Sequence, residues 1–178
     1  MARPLRIEYP GAYYHVSTRG NEQKAIFRDD RDRERLLELL DRAVEHFHLR
    51  LHGYVLMSNH YHLLVETPRG GLSGALRYLN GVYTQAFNRR HRRVGHLFQG
   101  RYKAILVDKD AYLLELSRYI HLNPWRVKRS YDPFKYRWSS LKAYVGAAVV
   151  PGWLTVKEVL SEFGSRGKRA TGNLSSRG

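Results

Sequence analysis

The chain contains no cysteine among its 178 residues. This absence excludes disulfide bonds, zinc sites built on thiolates and a cysteine nucleophile. Long apolar runs are also missing, since no stretch approaches the roughly 18 residues of a membrane span, and the first residues carry no apolar signal-peptide core. We therefore expect a soluble, cytoplasmic protein that has no membrane partner.

Acidic residues are scarce compared with basic ones. Asp and Glu number 16 against 31 Lys and Arg, which gives a formal net charge of +15 at pH 7. Folding does not require such an excess, which is typical of proteins that bind a polyanion, most often nucleic acid. The length is that of a single domain, large enough to fold without a disulfide or a metal.

The spacing of apolar residues predicts an α+β fold. Strands are expected at residues 12–17, 51–57, 61–66 and 102–107, and helices at residues 31–47 and 72–88. The order strand, helix, strand, strand, helix, strand is the split β-α-β arrangement of ferredoxin-like folds, an antiparallel sheet with helices on one face. A third helix should follow the last strand and end at Asn123, because a residue before proline avoids helical geometry.

Two histidines, His60 and His62, lie at the start of the third predicted strand. Side chains alternate along a strand, so both histidines face the same side, with Cα atoms roughly 6.6 Å apart. Tyr61 faces the opposite side, where the helices should pack, so the histidines belong to the open face. Two imidazoles at this spacing can bind one divalent metal, although the short pattern by itself is more often a pair of surface histidines.

The other histidines and the tryptophans carry weaker signals. His15 and His121 are expected in the core or at its rim, and the spacing around His52 does not resemble a metal site. Tryptophan is highly buried on average, so the three tryptophans are expected in the core rather than stacked on nucleic-acid bases. They are Trp125, Trp138 and Trp153.

Four stretches of the sequence resemble, in order, the motifs of the HUH single-tyrosine transposases, the insertion-sequence-200-like superfamily. The REP-associated (RAYT) branch is the most similar. The stretches are VSTRGN at residues 16–21, YVLMSNHYHLLV at 54–65, GHLFQGRY at 95–102 and RYIHLNP at 118–124. Tyr61 stands where the family has an aliphatic residue between its histidines, and it keeps the large, mostly apolar character of that position.

The resemblance implies a metal-dependent, site-specific endonuclease and strand transferase that acts on single-stranded DNA. A tyrosine hydroxyl attacks a phosphodiester, the enzyme becomes joined to the 5′ phosphate, and a 3′ hydroxyl is released. The implied partner is single-stranded or hairpin DNA of the REP or insertion-sequence type. No nucleotide cofactor is implied, because the phosphotyrosine bond conserves the energy of the broken phosphodiester. Both monomers and homodimers occur in the family.

The resemblance also implies a division of the chain and a fold. Residues 1–146 form the catalytic domain, a ferredoxin-like α+β sandwich with an added helix that bears the tyrosine. Residues 147–164 form a C-terminal extension. Residues 165–178 are rich in Gly, Ser and Arg, a composition that predicts a disordered basic tail.

Tyr119 matches the family's nucleophile, and Tyr112 on the same predicted helix is its best rival. A free phenol has a pKa near 10, so it needs a base, a cation or a metal to react at neutral pH. The resemblance implies metal ligation by His60, His62 and Asn123, which comes four residues after Tyr119. Mg²⁺ or Mn²⁺ is expected, and two imidazoles favour tighter binding of Mn²⁺.

Residues 88–103 contain six Lys or Arg and no acidic residue. Such a run is ordinarily a solvated loop, but with interleaved aromatic residues it can pair with phosphates and stack unpaired bases. Further basic residues flank the first strand and the tyrosine helix. The expected DNA-binding residues are Arg19, Arg89, Arg90, Arg92, Arg93, His96, Arg101, Lys103 and Arg126.

Two other functions are compatible with the same motifs. One is a non-catalytic or domesticated nucleic-acid-binding domain on the same sheet, although the aromatic strand typical of RNA-recognition motifs is absent. The other is a plasmid replication initiator or relaxase that shares the histidine strand. The short chain and a single tyrosine helix after the fourth strand favour the transposase.

Overall fold

The computed structural model describes residues 8–163, except for the side chains of Asp110 and Ala111. The predicted tail at residues 165–178 lies outside this part. The strands are β1 (Ala12–Arg19), β2 (Arg50–Leu56), β3 (His60–Thr67) and β4 (Lys103–Val107). The helices are α1 (Asp30–His46), α2 (Leu72–Arg90), α3 (Lys109–His121), α4 (Asn123–Val127) and α5 (Leu141–Tyr144), and residues 157–163 are also helical.

The four strands form one antiparallel sheet in the order β2-β3-β1-β4. β3 lies in the interior of the sheet, because it pairs with β2 on one side and with β1 on the other. The two-residue turn at residues 58–59 returns the chain directly beside β2. Element order and pairing confirm the predicted ferredoxin-like α+β fold.

One face of the sheet is covered by α1 and α2, as predicted. Tyr61, Leu63 and Val65 alternate with the histidines along β3 and are fully buried in the larger apolar core beneath these helices. The hydroxyl of Tyr61 donates a hydrogen bond of 2.6 Å to Oδ1 of Asn80 on α2. A tyrosine between the two histidines is therefore compatible with the fold, because its polar tip finds a partner.

The opposite face is partly covered by α3, which packs on a second apolar cluster. Leu64 of β3 and Leu113 and Ile120 of α3 are buried there. The helix ends at His121, two residues before the end predicted at Asn123, and Asn123 begins the short helix α4 instead of ending α3. Proline lacks an N–H and is tolerated in the first turn of a helix, so Pro124 allows the chain to restart there.

Trp125 contradicts the prediction that all three tryptophans are in the core. Trp138 and Trp153 are half-buried against the larger core, whereas Trp125 is 37% exposed. The reason lies in α4, which buries only its first two residues, Asn123 and Pro124, and leaves the remainder in solvent.

The C-terminal segment returns to the sheet. Leu154 pairs with Leu51 of β2 and is buried in the larger core, and Val159 is buried in the second cluster. Among residues 8–163, no helix combines the length and apolar character that crossing a bilayer requires.

Gly20 follows β1 at a close approach of two backbone segments. Its backbone is ordinary, with φ −63° and ψ 143°, but a Cβ added there would lie 2.0 Å from the carbonyl oxygen of Lys24. We expect Gly20→Ala to lower the free energy of unfolding by about 2–3 kcal/mol, since a backbone atom cannot move aside as a flexible side chain can. Urea denaturation followed by circular dichroism measures this loss.

Gly81→Ala is the matched control for this substitution. Gly81 lies within α2, and an added Cβ there meets nothing within 4 Å. Alanine in a helix interior should raise stability by about 0.5–1 kcal/mol. Equal effects of the two substitutions would contradict the close approach at Gly20.

Candidate active site

The two histidines of β3 open into a cavity on the face that α1 and α2 leave uncovered. Pairing with β1 places Ser17 opposite His62 and Arg19 opposite His60. The cavity has a volume of about 470 Å³. It is lined by Ser17, Thr18, Arg19, His60, His62, Gln99, Arg101 and Lys103.

A third histidine, His15 of β1, orients His62. Nε2 of His15 and Nδ1 of His62 share a hydrogen bond of 2.9 Å, and the two rings stack with centroids 5.0 Å apart. This bond occupies Nδ1 of His62 and leaves Nε2 as the nitrogen that can bind a metal. Burial, and next the nearby His15 and His60, lower the pKa of His62 to about 3, so its imidazole is neutral at pH 7, the form that ligates metals.

His60 lies between two asparagines. Its Nδ1 is 2.7 Å from Oδ1 of Asn59, and its Nε2 is 3.2 Å from Oδ1 of Asn123. Burial lowers the pKa of His60, although the contact with Asn123 opposes this shift. An imidazole whose Nδ1–H donates to Asn59 presents the Nε2 lone pair to Asn123. Adjacent donors of an octahedral metal with ligands at about 2.1 Å are about 3 Å apart, so these two atoms fit one ion.

Tyr119 of α3 packs against two of these three histidines, His15 and His62. Its half-buried ring makes edge contacts with His15 and His62, with centroids 5.6 Å and 5.7 Å away. The guanidinium carbon of Arg126 lies 5.0 Å from the centre of the Tyr119 ring. Tyr112, the rival candidate, is 63% exposed two turns earlier on the helix. The structure therefore brings Tyr119 together with the histidines.

Asn123 reaches this site because the chain leaves α3 before it. The side chain is buried beside His60 at the start of α4, with 4% of its surface exposed. A continuous helix would have placed Asn123 above Tyr119 on one face. The restart at Pro124 instead sets its amide oxygen toward Nε2 of His60.

The predicted DNA-binding residues fall into three groups. Arg19, Arg101 and Lys103 line the cavity beside the histidines, and Arg126 lies on Tyr119. Arg90 is held at the N-terminal end of α1, through hydrogen bonds of 2.7 Å to the N-cap residue Asp29 and 2.6 Å to Asp32. The other four lie at the end of α2 and in the following loop, where Arg93 lies over the Phe87 ring: Arg89, Arg92, Arg93 and His96.

Sequence reasoning missed a second polar cluster on the same face of the sheet. Side chains of His52, Glu66 and Glu158 each bring one ligand atom within 4.8 Å of the others, a spacing that a metal could use. Arg50 already donates hydrogen bonds of 3.3 Å to both carboxylates, and Tyr13 donates one of 2.8 Å to Glu158. The signal in the sequence was weak, because Glu158 is more than 90 residues from the other two.

Glu158 links the C-terminal segment to the sheet through this cluster. Partial burial works against its ionisation, but the Tyr13 hydrogen bond and the charges of His52, Lys109 and Arg50 outweigh it and lower the pKa of Glu158 below 4.5. A carboxyl whose pKa falls on folding stabilises the protein above its unfolded pKa. This contribution is lost as the pH falls from about 4.5 through the folded value.

We therefore expect Glu158→Gln to destabilise the protein at pH 7 and to have a progressively smaller effect as the pH falls below about 4.5. Glutamine keeps the shape of the glutamate side chain and removes its charge. The pH dependence of the difference in free energy of unfolding therefore reports the ionisation of Glu158. Urea denaturation of both proteins at several pH values measures it. A difference that is independent of pH would show that the carboxylate charge contributes nothing to stability.

Comparisons with known proteins agree with this geometry. The sequence matches the family model described as "Transposase IS200 like" over residues 8–123. A search of curated proteins finds no match. Among solved structures, a REP-associated tyrosine transposase bound to a REP hairpin superposes with a TM-score of 0.69 at 14% identity, covering 87% of this chain and 92% of that chain. At that identity the match shows a shared fold.

Two further structures are less similar. One is a transposase candidate from Deinococcus radiodurans R1, with TM-score 0.46 and 17% identity, covering 67% of this chain and 94% of that chain. The other is tRNA(His) guanylyltransferase from Saccharomyces cerevisiae, with TM-score 0.40 and 12% identity, covering 75% and 72%. The fold assignment rests on the first structure.

Proposed function

Since the chain belongs to the IS200-like transposase family, we propose that it cuts and rejoins single-stranded DNA beside a hairpin through a covalent bond to Tyr119. The observation that carries this proposal is the packing of Tyr119 against His62, one of two neutral histidines that open into a basic cavity. The hairpin in this proposal is suggested by the similar solved structure, in which the protein is bound to a REP hairpin.

The proposed reaction exchanges one phosphodiester for another. The phenolic oxygen of Tyr119 attacks phosphorus, the bond from phosphorus to the 3′ oxygen breaks, and the DNA 5′ phosphate stays on the enzyme. The phenol gives its proton to water, and the leaving 3′ oxygen takes one up from water. Attack by a 3′ hydroxyl on the phosphotyrosine reverses these steps and rejoins the DNA, so the reaction consumes no nucleotide.

A divalent metal at His60, His62 and Asn123 is part of the proposal. Membership of the family implies a divalent metal, and the 3.2 Å between Nε2 of His60 and Oδ1 of Asn123 suits two donors of one ion. We prefer these residues to the His52 cluster, where Arg50 already forms an ion pair with each carboxylate. When bound, Mg²⁺ or Mn²⁺ supplies Lewis-acid stabilisation of the charged phosphate.

The protein itself supplies positioning and charge. His15 holds the ring of His62 through the bond at Nδ1, which keeps Nε2 directed away from β1. Arg19, Arg101 and Lys103 lie around the cavity, where they can neutralise phosphates that enter it. Arg126 lies over the Tyr119 ring, next to the position where the attacked phosphate would lie.

Attack within one chain is the arrangement we propose. Tyr119 contacts histidines of its own chain, so a monomer contains the whole constellation. A homodimer that exchanges α3 remains the alternative. It would place the tyrosine of one subunit against the histidines of the other.

A covalent-trapping assay tests the proposed function. End-labelled single-stranded DNA from the flanks of the protein's own gene is incubated with the protein and Mn²⁺, then boiled in detergent and separated by mass. A labelled band at the mass of protein plus DNA is the expected result. Tight binding without such a band, at a site confirmed by footprinting, would favour the second candidate, a non-catalytic DNA-binding domain.

A further inference from the structure

The segment that follows the active-site asparagine carries exposed aromatic rings, each with a basic side chain on it. The guanidinium carbon of Arg129 lies 3.9 Å from the centre of the Trp125 ring, and Nζ of Lys128 lies 5.4 Å from that of Tyr131. Trp125 is 37% exposed and Tyr131 is 41% exposed. We call these four residues the aromatic strip.

The charge of this region has one sign. Between Glu115 and Asp132 the sequence contains four Lys or Arg residues and no acidic residue. An exposed aromatic ring beside a basic side chain is a combination that proteins use to bind single-stranded nucleic acid. Basic side chains without acidic residues nearby in the sequence favour a polyanion, rather than an apolar protein surface, as the binding partner of this segment.

The aromatic strip begins two residues after the active-site asparagine in the sequence. Trp125 lies two residues after Asn123, whose amide contacts His60. Arg126, which directly follows Trp125 in the sequence, lies on the Tyr119 ring. DNA that leaves the phosphate attacked by Tyr119 would therefore meet these rings after a short distance.

We propose that the aromatic strip binds single-stranded DNA next to the cleaved phosphate, with unpaired bases stacked on Trp125 and Tyr131. This inference rests on the proposed function, because it takes the DNA strand to pass Tyr119. Stacking on aromatic rings suits unpaired bases of any sequence, since every base has a π face. Arg129 and Lys128 hold the rings by cation–π contacts and pair with the adjoining phosphates.

Binding of bases to the aromatic strip can be followed by tryptophan fluorescence. A base stacked on an indole quenches its fluorescence, so single-stranded oligothymidine should quench the part of the emission that comes from Trp125. We expect Trp125→Phe to lose most of this quenching, and the matched control Trp153→Phe to keep it. Trp153 suits this role because its ring packs on Tyr54 in the fold. All measurements use the full chain in a Tyr119→Phe background, which prevents cleavage.

Affinity gives the second readout. We expect Trp125→Ala to weaken binding of a labelled hairpin with a single-stranded flank by about tenfold, within the range measured for loss of one stacked base. Arg129→Lys, which keeps the charge and removes the planar guanidinium, should weaken it less. A blunt hairpin without the flank should bind the Trp125→Ala variant and its parent equally, because duplex bases are not free to stack.

The outcomes separate this inference from the proposed function. If Trp125→Ala binds flanked hairpin as tightly as its parent, or if a blunt hairpin quenches Trp125 equally, the aromatic strip does not bind unpaired bases. Formation of the covalent band by protein that retains Tyr119 would then still support the transposase reaction. Absence of that band, together with Trp125-dependent quenching, would support the strip and contradict the chemistry.

Discussion

Tyr119→Phe is expected to abolish covalent attachment to DNA and to leave DNA affinity within about twofold of the unsubstituted chain. Phenylalanine keeps the ring, and with it the edge contacts to His15 and His62 and the cation–π contact with Arg126. Only the attacking oxygen is removed. Phenylalanine has no nucleophilic atom, so a covalent bond from residue 119 to phosphorus cannot form. The covalent-trapping assay and fluorescence anisotropy of labelled DNA measure the two quantities.

Tyr112→Phe is the matched control, since it removes a hydroxyl from an exposed position on the same helix. It should retain full attachment. Attachment that survives Tyr119→Phe and disappears with Tyr112→Phe would assign the nucleophile to the rival tyrosine.

A mixing experiment tests attack within one chain. Tyr119→Phe protein lacks the nucleophile, and a variant without His60 and His62 lacks the proposed metal ligands. If each site is built from one chain, the mixture should stay inactive. Recovery of the covalent band on mixing would show that subunits exchange the tyrosine helix.

The double variant His60→Ala, His62→Ala is expected to lose metal-dependent cleavage, by about a thousandfold or more. Lewis-acid stabilisation by a bound metal is worth several kcal/mol, and about 4 kcal/mol corresponds to a thousandfold in rate. Both side chains face the cavity, so their removal leaves the core beneath α1 and α2 unchanged. Isothermal titration with Mn²⁺ should show the matching loss of metal binding.

His48→Asn is the control for this variant. His48 is exposed and follows α1, and its backbone has a φ of 52°, which asparagine adopts more readily than most residues. It should bind Mn²⁺ and cleave DNA like the parent. Mn²⁺ binding that survives the double variant would point to another set of ligands, such as the His52 cluster.

Local patterns were sufficient for much of the fold. Alternation along β3 placed Tyr61 in the core and His60 and His62 on the open face, because a strand's side-chain period leaves no other choice. The proline signal also predicted the end of α3 within two residues. These features depend on neighbouring residues, and the structure confirms them.

Partners of individual side chains were less predictable. Arg90 belongs to a basic run that suggested DNA, yet two carboxylates at the start of α1, those of the N-cap residue Asp29 and of Asp32, lie within hydrogen-bond distance of it. His15 was expected in the core or at its rim, with no partner named, and strand pairing puts it beside His62. In both cases the partner is more than 45 residues away along the chain, so no local pattern contains it.

The sequence by itself determined the charge, the order of the elements, the faces of the strands and the motifs of the family, because each of these depends on composition or on short-range spacing. Only the tertiary structure decided that Asn123 reaches His60 by way of a restarted helix, that Tyr119 packs on His15 and His62, and that Trp125 remains partly exposed. Each of these depends on how α3 and α4 settle on the sheet. That placement is fixed by the packing of many apolar side chains at once, and no single stretch of sequence carries it.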